Sequence, residues 1–558
     1  MKSSIASVSA PPDAVAAGHT KLGMVVFASA LGTVFEWYEF FLFGAMATII
    51  AAQFFTGAGE TAGFIFTLLT FAAGFAMRPI GALLFGSMGD RLGRKVAFLA
   101  TIVLMGVTTV AIGLLPTYAQ AGALAPALLI ALRMAQGVAL GGEYGGAATY
   151  VAEHAPANRR GYYTSLIHGA AALGLVLALI IIYIVRKALG EDAFRDWGWR
   201  IPFLCSALVL ALSIWARMKL DESPAFRILK QSGKIAKAPI SEALGRWANL
   251  RLMLIALFGF MAADGAIWYA SHFYAQFFLE RSLRVEASTV NLLFIFLALA
   301  GAPLYVLFGS LSDRVGRKPV IVSGIAVALI SYVPTYHLLA RAANPALMQA
   351  SEQAPVVVAA DRDDCSLQFD PIGTARFTSS CDLAKRALAR AGVSYRVEIA
   401  PPGAAARVHV GPTVIETNSA RGLSAAATRQ IEQDVEQRLR AALDEAGYPK
   451  RAEPSEMKLP LVLLGLLLLV IPAAAIFGPI GAALVELFPT QVRYTAMSLP
   501  YHIGTGWFGG FMPAIAFAIV AETGNMFSGL SYVIAIAAVG LVVALLCWRE
   551  THGRDLTF

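Results

Sequence analysis

Charge is scarce in this chain. Of 558 residues, 14% are Asp, Glu, Lys or Arg and 57% are hydrophobic, with a mean hydropathy of +0.65. A soluble domain carries about 25% charged residues, so neither a water-soluble globule nor a disordered chain fits. Cysteine is scarce too. Four residues are too few for a disulfide scaffold. Cys205 and Cys547 sit in apolar runs, where a free thiol packs as a small hydrophobe. Metal-ligand spacings, phosphate loops and nucleophile elbows are missing, so no metal, cofactor or enzymatic activity is expected. Residues 1–20 are polar and small, and the apolar run after them is too long for a secretory leader. The net charge of +8 lies in short loops between apolar runs, which argues against nucleic acid as the partner.

What the chain has in abundance is apolar runs of membrane-spanning length, about 20 residues each. Twelve are expected: Leu22–Ile50, Gly63–Ser87, Val96–Leu115, Ala123–Val151, Tyr163–Val185, Ile201–Met218, Leu252–Phe278, Thr289–Ser310, Val320–Leu339, Leu459–Phe488, Tyr494–Ala521 and Phe527–Trp548. Lys and Arg crowd the loops after runs 2, 4, 6 and 8, and the loops after runs 1, 3 and 11 have none. Positive loops stay in the cytoplasm. Both termini are therefore expected there, in a multi-pass protein of a bacterial inner membrane.

The chain repeats itself. Gly86, Asp90, Arg91, Gly93, Arg94 and Lys95 recur as Gly309, Asp313, Arg314, Gly316, Arg317 and Lys318, after runs 2 and 8. Glu153, Pro156 and Arg160 recur as Glu486, Pro489 and Arg493. Two halves of the same orientation are implied. The spacing is 153 − 90 = 63 in one half and 486 − 313 = 173 in the other, so the second half carries an insertion of 110 residues. It falls within 341–458, on the extracytoplasmic side. Expected there is a small α+β module with helices at Leu383–Ala391 and Ser424–Ala446, and strands at Tyr395–Ala400, Arg407–Val410 and Thr413–Thr417. Cys365 and Cys381 lie together in it. An oxidising compartment favours a disulfide between them, worth about 3 kcal/mol for a loop of this length. The alternative is two free thiols. The whole divides into a tail (1–20), a first half (21–218), a linker (219–251), helices 7–9 (252–340), the module (341–458), helices 10–12 (459–548) and a second tail (549–558).

Several stretches carry a family pattern. They are Gly32–Phe40 with Glu36, Trp37 and Tyr38, then Arg78-Pro79-Ile80-Gly81, Arg133 with Gln136 and Gly137, and Gly141–Gly146. Trp199–Phe203, Glu222-Ser223-Pro224 and Gly478-Pro479 leading to Glu486 and Pro489 complete the set. With these in order, the chain resembles the metabolite:proton symporter family of the major facilitator superfamily. The resemblance implies an all-α membrane protein of twelve transmembrane helices in two parallel six-helix repeats, with the α+β module between helices 9 and 10. It implies a secondary transporter, usually monomeric, that moves a small organic acid with protons by alternating access. Members take up shikimate, citrate, 2-oxoglutarate and other carboxylates, or proline and betaine. Glu39 stands where the family usually has Asp, and Phe43 where it often has Tyr. The module is not a general family feature. The chain ends ten residues after Trp548, unlike the long coiled-coil tail of the osmosensing branch.

Ionisable groups deep in a membrane are costly and are functional candidates by default. Arg133 is expected as the substrate-anion anchor or as the counter-ion of a proton site. Glu36, Glu39 and Asp264 are expected to carry protons, and Asp264 also to meet substrate. Trp37, Tyr38 and Trp268 are expected to line the cavity. Arg78, Glu143, Glu153 and Glu486 read as structural, with Arg78 paired across helices. His168, His272 and His502 rank lower. The two Asp-Arg loops read as parts of a cytoplasmic gate. The expected partners are the substrate, protons and lipid. For the module a lid, a dock for an extracytoplasmic partner, a ligand sensor or inert decoration all stay open. A zwitterion such as a betaine is the nearer rival substrate: Asp264 would take its cation and Arg133 its carboxylate.

Overall fold

The computed structural model describes residues 12–55, 60–366 and 377–556. Apolar side chains facing lipid leave the backbone no partner but itself, which forces long helices. Among the described residues, eleven helical stretches are long and apolar enough to cross a membrane. Glu60–Arg91, of 32 residues, is a further long helix. In chain order they are α1 (Pro12–Ala45), α2 (Glu60–Arg91), α3 (Arg94–Leu114), α4 (Leu124–His154), α5 (Ala157–Leu189) and α6 (Arg200–Met218). The second set is α7 (Trp247–Ser282), α8 (Ala287–Val315), α9 (Arg317–Ala343), α10 (Leu459–Leu487), α11 (Arg493–Thr523) and α12 (Leu530–Cys547). The polar tail expected over 1–20 is helical from Pro12 onward, and residues 1–11 lie outside the described residues.

Two local features shape the interior of the bundle. In α7, wide π turns at Leu257–Met261 and Ala270–Tyr274 bracket the α-helical turns that carry Asp264 and Trp268. Such turns re-aim side chains and recur at functional sites. The second feature is the α2–α4 contact. A Cβ at Gly137 would collide with the carbonyl oxygen of Gly74, and one at Gly141 with that of Arg78. Only glycine allows this approach, which holds Arg78 against α4.

Between α9 and α10 lies a four-stranded sheet of β1 (Val356–Ala360), β2 (Tyr395–Ile399), β3 (Arg407–Val410) and β4 (Thr413–Glu416), in the order β2-β1-β3-β4. β1 and β2 are parallel through the helix Ser380–Ala391, and β3 and β4 are antiparallel additions. Strands β2, β3 and β4 fall within the stretches expected from the sequence. The central strand β1, an unbroken Val-Val-Val-Ala-Ala, carries no alternation and escapes that reading. Val356, Val358, Val408, Val410 and Ile415 bury one face under Leu383, Leu388, Val435 and Leu439. Ser379 and Ser424 cap the two helices. Cys365 and Cys381 form a disulfide.

The module is fastened to the second half. Arg284 donates to the carbonyls of Pro449 and Ala391, the latter at 2.7 Å. Tyr395 donates its N–H to Gly524 at 2.8 Å and its hydroxyl to Ala521 at 2.6 Å. Lys385 pairs with Glu522 at 3.3 Å. One continuous core runs from these strands into α7–α12.

The α2–α4 contact gives an expectation for stability. Gly141→Ala should cost about 1–3 kcal/mol by overpacking, read as a lower melting temperature of the detergent-solubilised protein. Gly23→Ala, inside α1 at a site with nothing within 4 Å of the added methyl, should not lower it.

Candidate functional site

One end of the bundle is locked by buried charge, twice over. At the end of α2, Asp90 accepts from the N–H groups of Tyr494 (3.2 Å) and Thr495 (2.9 Å) at the start of α11, and pairs with Arg94 at 2.9 Å. At the end of α8, Asp313 accepts from Gly161 (2.8 Å) and Tyr162 (2.7 Å) at the start of α5, and pairs with Arg317 at 2.7 Å. Each aspartate thus reaches from its own half to a helix N-terminus of the other, where the dipole favours an anion. Glu153 pairs with Arg493 at 2.9 Å and Arg94 at 3.7 Å. Glu486 pairs with Arg317 at 3.1 Å and Arg160 at 3.4 Å. Arg91 and Arg314 point outward and join no ion pair among the described residues.

Two acids seal the loops, and spacing alone does not reveal them. Glu222 accepts from the N–H of Arg94 at 3.0 Å, and Glu550 from those of Arg317 (3.1 Å) and Lys318 (3.0 Å). Burial pushes the Glu550 carboxyl up. The N–H groups of His552, Arg317, Lys318 and Thr551 outweigh it and hold the group below the ordinary carboxylate value. The tail crosses the same seam: the carbonyl of Arg554 accepts from Arg160 at 2.6 Å, and that of Leu556 from Arg493 at 3.0 Å.

Beyond the lock lies a cavity of about 650 Å³, open solvent included, between the halves. On α1 the spacing of Thr33, Glu36, Trp37 and Phe40 is one helical face, and all four line it. α2 contributes Arg78, α4 Tyr144 and α5 His168. Across from them stand Asp264, Trp268 and Tyr269 of α7, Phe477 of α10, and Tyr501 and Thr505 of α11. Rings from opposite halves close both sides. Tyr144 stacks on Tyr501 at 3.7 Å, and His168 lies on Phe477 at 4.0 Å. Trp37 meets Trp268 at 5.6 Å, and Phe40 meets Phe273 at 5.9 Å.

The charged residues sort into committed and uncommitted. Arg133 donates to Glu39 at 3.2 Å and Gln136 at 2.7 Å, with its guanidinium over the Phe43 ring. That pair sits outside the cavity wall. Glu143 is held by Arg217 and by the Thr101 hydroxyl at 2.7 Å. Tyr38, expected in the cavity, donates to the carbonyl of Pro202 instead, because it lies about 100° round α1 from Trp37. Arg78, expected to pair across helices, forms no ion pair with any described residue and lines the cavity beside the Phe75 ring. Asp264 is 1% exposed, and neither carboxylate oxygen has a hydrogen-bond partner. Glu36 forms no ion pair with a described residue. Three uncommitted charges thus face one space.

A helical bundle with this many spans and a charged interior cavity is a membrane-transport architecture. Residues 24–302 match the family described as "Sugar (and other) transporter", and the chain belongs to it. It is 33% identical over 329 residues to the glycine betaine/proline/ectoine/pipecolic acid transporter OusA of Dickeya dadantii. That match covers 57% of this chain and 65% of the relative, so just under two thirds of that protein is spanned. The alpha-ketoglutarate permease of Escherichia coli is 33% identical, over 58% of this chain and 73% of its own. The shikimate transporter of E. coli is 32% identical, over 60% and 76%. The fold resembles the proton:xylose symporter XylE bound to 6-bromo-6-deoxy-D-glucose, with TM-score 0.61 and 17% identity over 97% of this chain and 98% of that one.

Breaking a buried ion pair by neutralising one partner costs about 3–5 kcal/mol. Glu153→Gln and Glu486→Gln should each loosen the locked end. A cysteine placed at Thr505 should then react faster with an impermeant maleimide added from that side. Equal rates in parent and variants would reject the lock.

Proposed function

We propose that the chain is a secondary transporter that takes up a small organic carboxylate together with protons by alternating access. The observation that carries this reading is the cavity. An uncommitted guanidinium, Arg78, and two uncommitted carboxylates, Glu36 and Asp264, face one space between the two halves. A guanidinium binds a carboxylate through a planar fork. A carboxyl group without a partner in a low-dielectric site takes up a proton readily, which is what coupling requires. The anion anchor is therefore Arg78, with Arg133 serving as the counter-ion of Glu39. Trp37 and Trp268 close over the substrate, and the two Asp-Arg loops with Glu153 and Glu486 form the cytoplasmic gate.

The finer architecture belongs to the same reading. Glu60–Arg91 counts as a span, which gives twelve in two parallel sets of six, 21–218 and 252–548, joined by the linker 219–251. The lysine- and arginine-bearing loops put the locked end and both termini in the cytoplasm. The module over 341–458 is then extracytoplasmic, where a Cys365–Cys381 disulfide persists. A bacterial inner membrane is the setting, as the name of one relative from E. coli, an inner membrane metabolite transport protein, says of that relative. The protein acts as a monomer, with the module free to dock an extracytoplasmic partner.

A second reading has one observation in its favour. Asp264 faces the same cavity as Arg78, an arrangement that also suits a zwitterion with an ammonium at one end and a carboxylate at the other. Labelled shikimate, 2-oxoglutarate and betaine, offered to proteoliposomes under an inward proton gradient, separate the readings. Accumulation of a carboxylate, lost on collapsing the gradient and reduced at least tenfold by Arg78→Ala, is expected. Betaine alone would support the zwitterion. Uptake of nothing by folded protein would sink both.

A further inference from the structure

The charge count of the cavity sets how many protons each substrate brings. This rests on the transport reading. One cation, Arg78, faces two acids, Glu36 and Asp264. The other ionisable groups nearby are paired or are imidazoles, whose second proton would add a cation beside Arg78: His502 is buried near that guanidinium, and His272 hydrogen-bonds Ser271 and the Trp268 carbonyl while stacking on the Trp268 ring. Glu39 is paired with Arg133, and Glu143 with Arg217. His168 shares a hydrogen with the Tyr144 hydroxyl at 3.2 Å and lies between aromatic rings, an environment for a neutral imidazole. Around Asp264 the titratable neighbours are the phenols of Tyr144, Tyr305, Tyr332 and Tyr501, a group whose ordinary value of about 10 leaves it uncharged at neutral pH.

A narrow cavity walled by rings on both sides has little water to screen a net charge. An uncompensated buried charge is strongly disfavoured. The form that crosses the barrier is therefore neutral, both loaded and empty. With n protons on the two acids and a substrate of charge z, neutrality reads 1 − 2 + n + z = 0, so n = 1 − z. Empty, the site holds one proton, and the ionised acid balances Arg78. A monocarboxylate makes n equal to two.

We propose that the carboxylate of the substrate displaces an acid from its role as counter-charge to Arg78, and that the displaced acid takes one proton from the same side. Both ligands leave on the other side, and the empty carrier returns with its resident proton. One carboxylate and one proton cross, no net charge moves, and no bond other than O–H is made or broken. A fully ionised dicarboxylate would need three protons on two acids and is refused. A zwitterion has z of zero, adds no proton, and crosses without coupling.

The test uses the full chain in proteoliposomes, with shikimate as monocarboxylate, 2-oxoglutarate as dianion and betaine as zwitterion. Counterflow, the exchange of label against unlabelled substrate without any gradient, first reports whether transport occurs. If no compound exchanges, the transport reading fails and the inference falls with it. If shikimate exchanges, a pH gradient should concentrate it about tenfold per unit, while an inside-negative potassium diffusion potential alone should not. Accumulation driven by potential overturns the inference and leaves transport standing. Glu36→Gln and Asp264→Asn, each alone, should keep pH-driven accumulation, because one acid suffices for the exchange. The double variant should keep counterflow and lose the pH drive; retained drive overturns the assignment. Transport of 2-oxoglutarate above pH 7, or proton-driven accumulation of betaine, overturns the charge rule.

Discussion

The contact between the two halves turns on charge that has been taken out of water and paired across them. Glu153 sits between Arg94 and Arg493, and Glu486 between Arg317 and Arg160, with these side chains nearly or wholly buried. Desolvation makes such groups expensive singly and tolerable only as a closed set. In each trio at least one partner comes from the other half of the bundle. Separating the halves therefore splits both trios together, and water must enter to solvate what is exposed. An interface of that kind has two resting arrangements and little between them.

The internal repeat separates machinery from recognition. The gate charges obey it: Asp90 and Asp313, Arg94 and Arg317, Glu153 and Glu486, Arg160 and Arg493. So do the stacked rings. Adding 486 − 153 = 333 converts Tyr144 to Phe477 and His168 to Tyr501, which turns one cross-half ring pair into the other. The charges around the cavity break the repeat. Adding 313 − 90 = 223 converts Arg78 to Gly301. The Trp-Tyr pairs at 37 and 268 differ by 231, which converts Glu36 to Ile267 and matches Asp264 with Thr33. Symmetric parts are needed where two halves must meet alike. Asymmetric parts are needed where one cavity must present unlike charges, here one guanidinium and two carboxylates.

Much of this is legible in the residues. Apolar length gives the helices, and the duplicated Asp-Arg loop measures the insertion. The site is less legible, because chain position does not say which way a side chain points. Arg133 looks like the free cation, since it lies mid-helix above Gly137 and Gly141. Those glycines instead admit the backbone of α2, and it is Arg78 on α2 that reaches the cavity. The residue before a proline reads as structural from sequence; its phase with Gly74, one turn earlier, is the available signal. Glu39 differs from Glu36 by three residues and about 60° of helix, enough to turn it from the cavity to Arg133. Strand β1 escapes the pattern because its second face, Val357 and Ala359, is also apolar and only partly exposed, so the residues do not alternate although their burial does.

The module's anchors described above tie it to α7–α12: Arg284 in the loop before α8, Glu522 in the last turn of α11 and Gly524 just after it, and a core continuous with those helices. A body fixed to one half and not to the other is a lever. In the alternating access proposed above it would swing with α7–α12, and its far edge would travel further than any residue in the cavity. Whatever leans on that edge bears on the α7–α12 half as a whole. A contact at the module would then be felt at the charge-locked end of the bundle without reaching into the cavity.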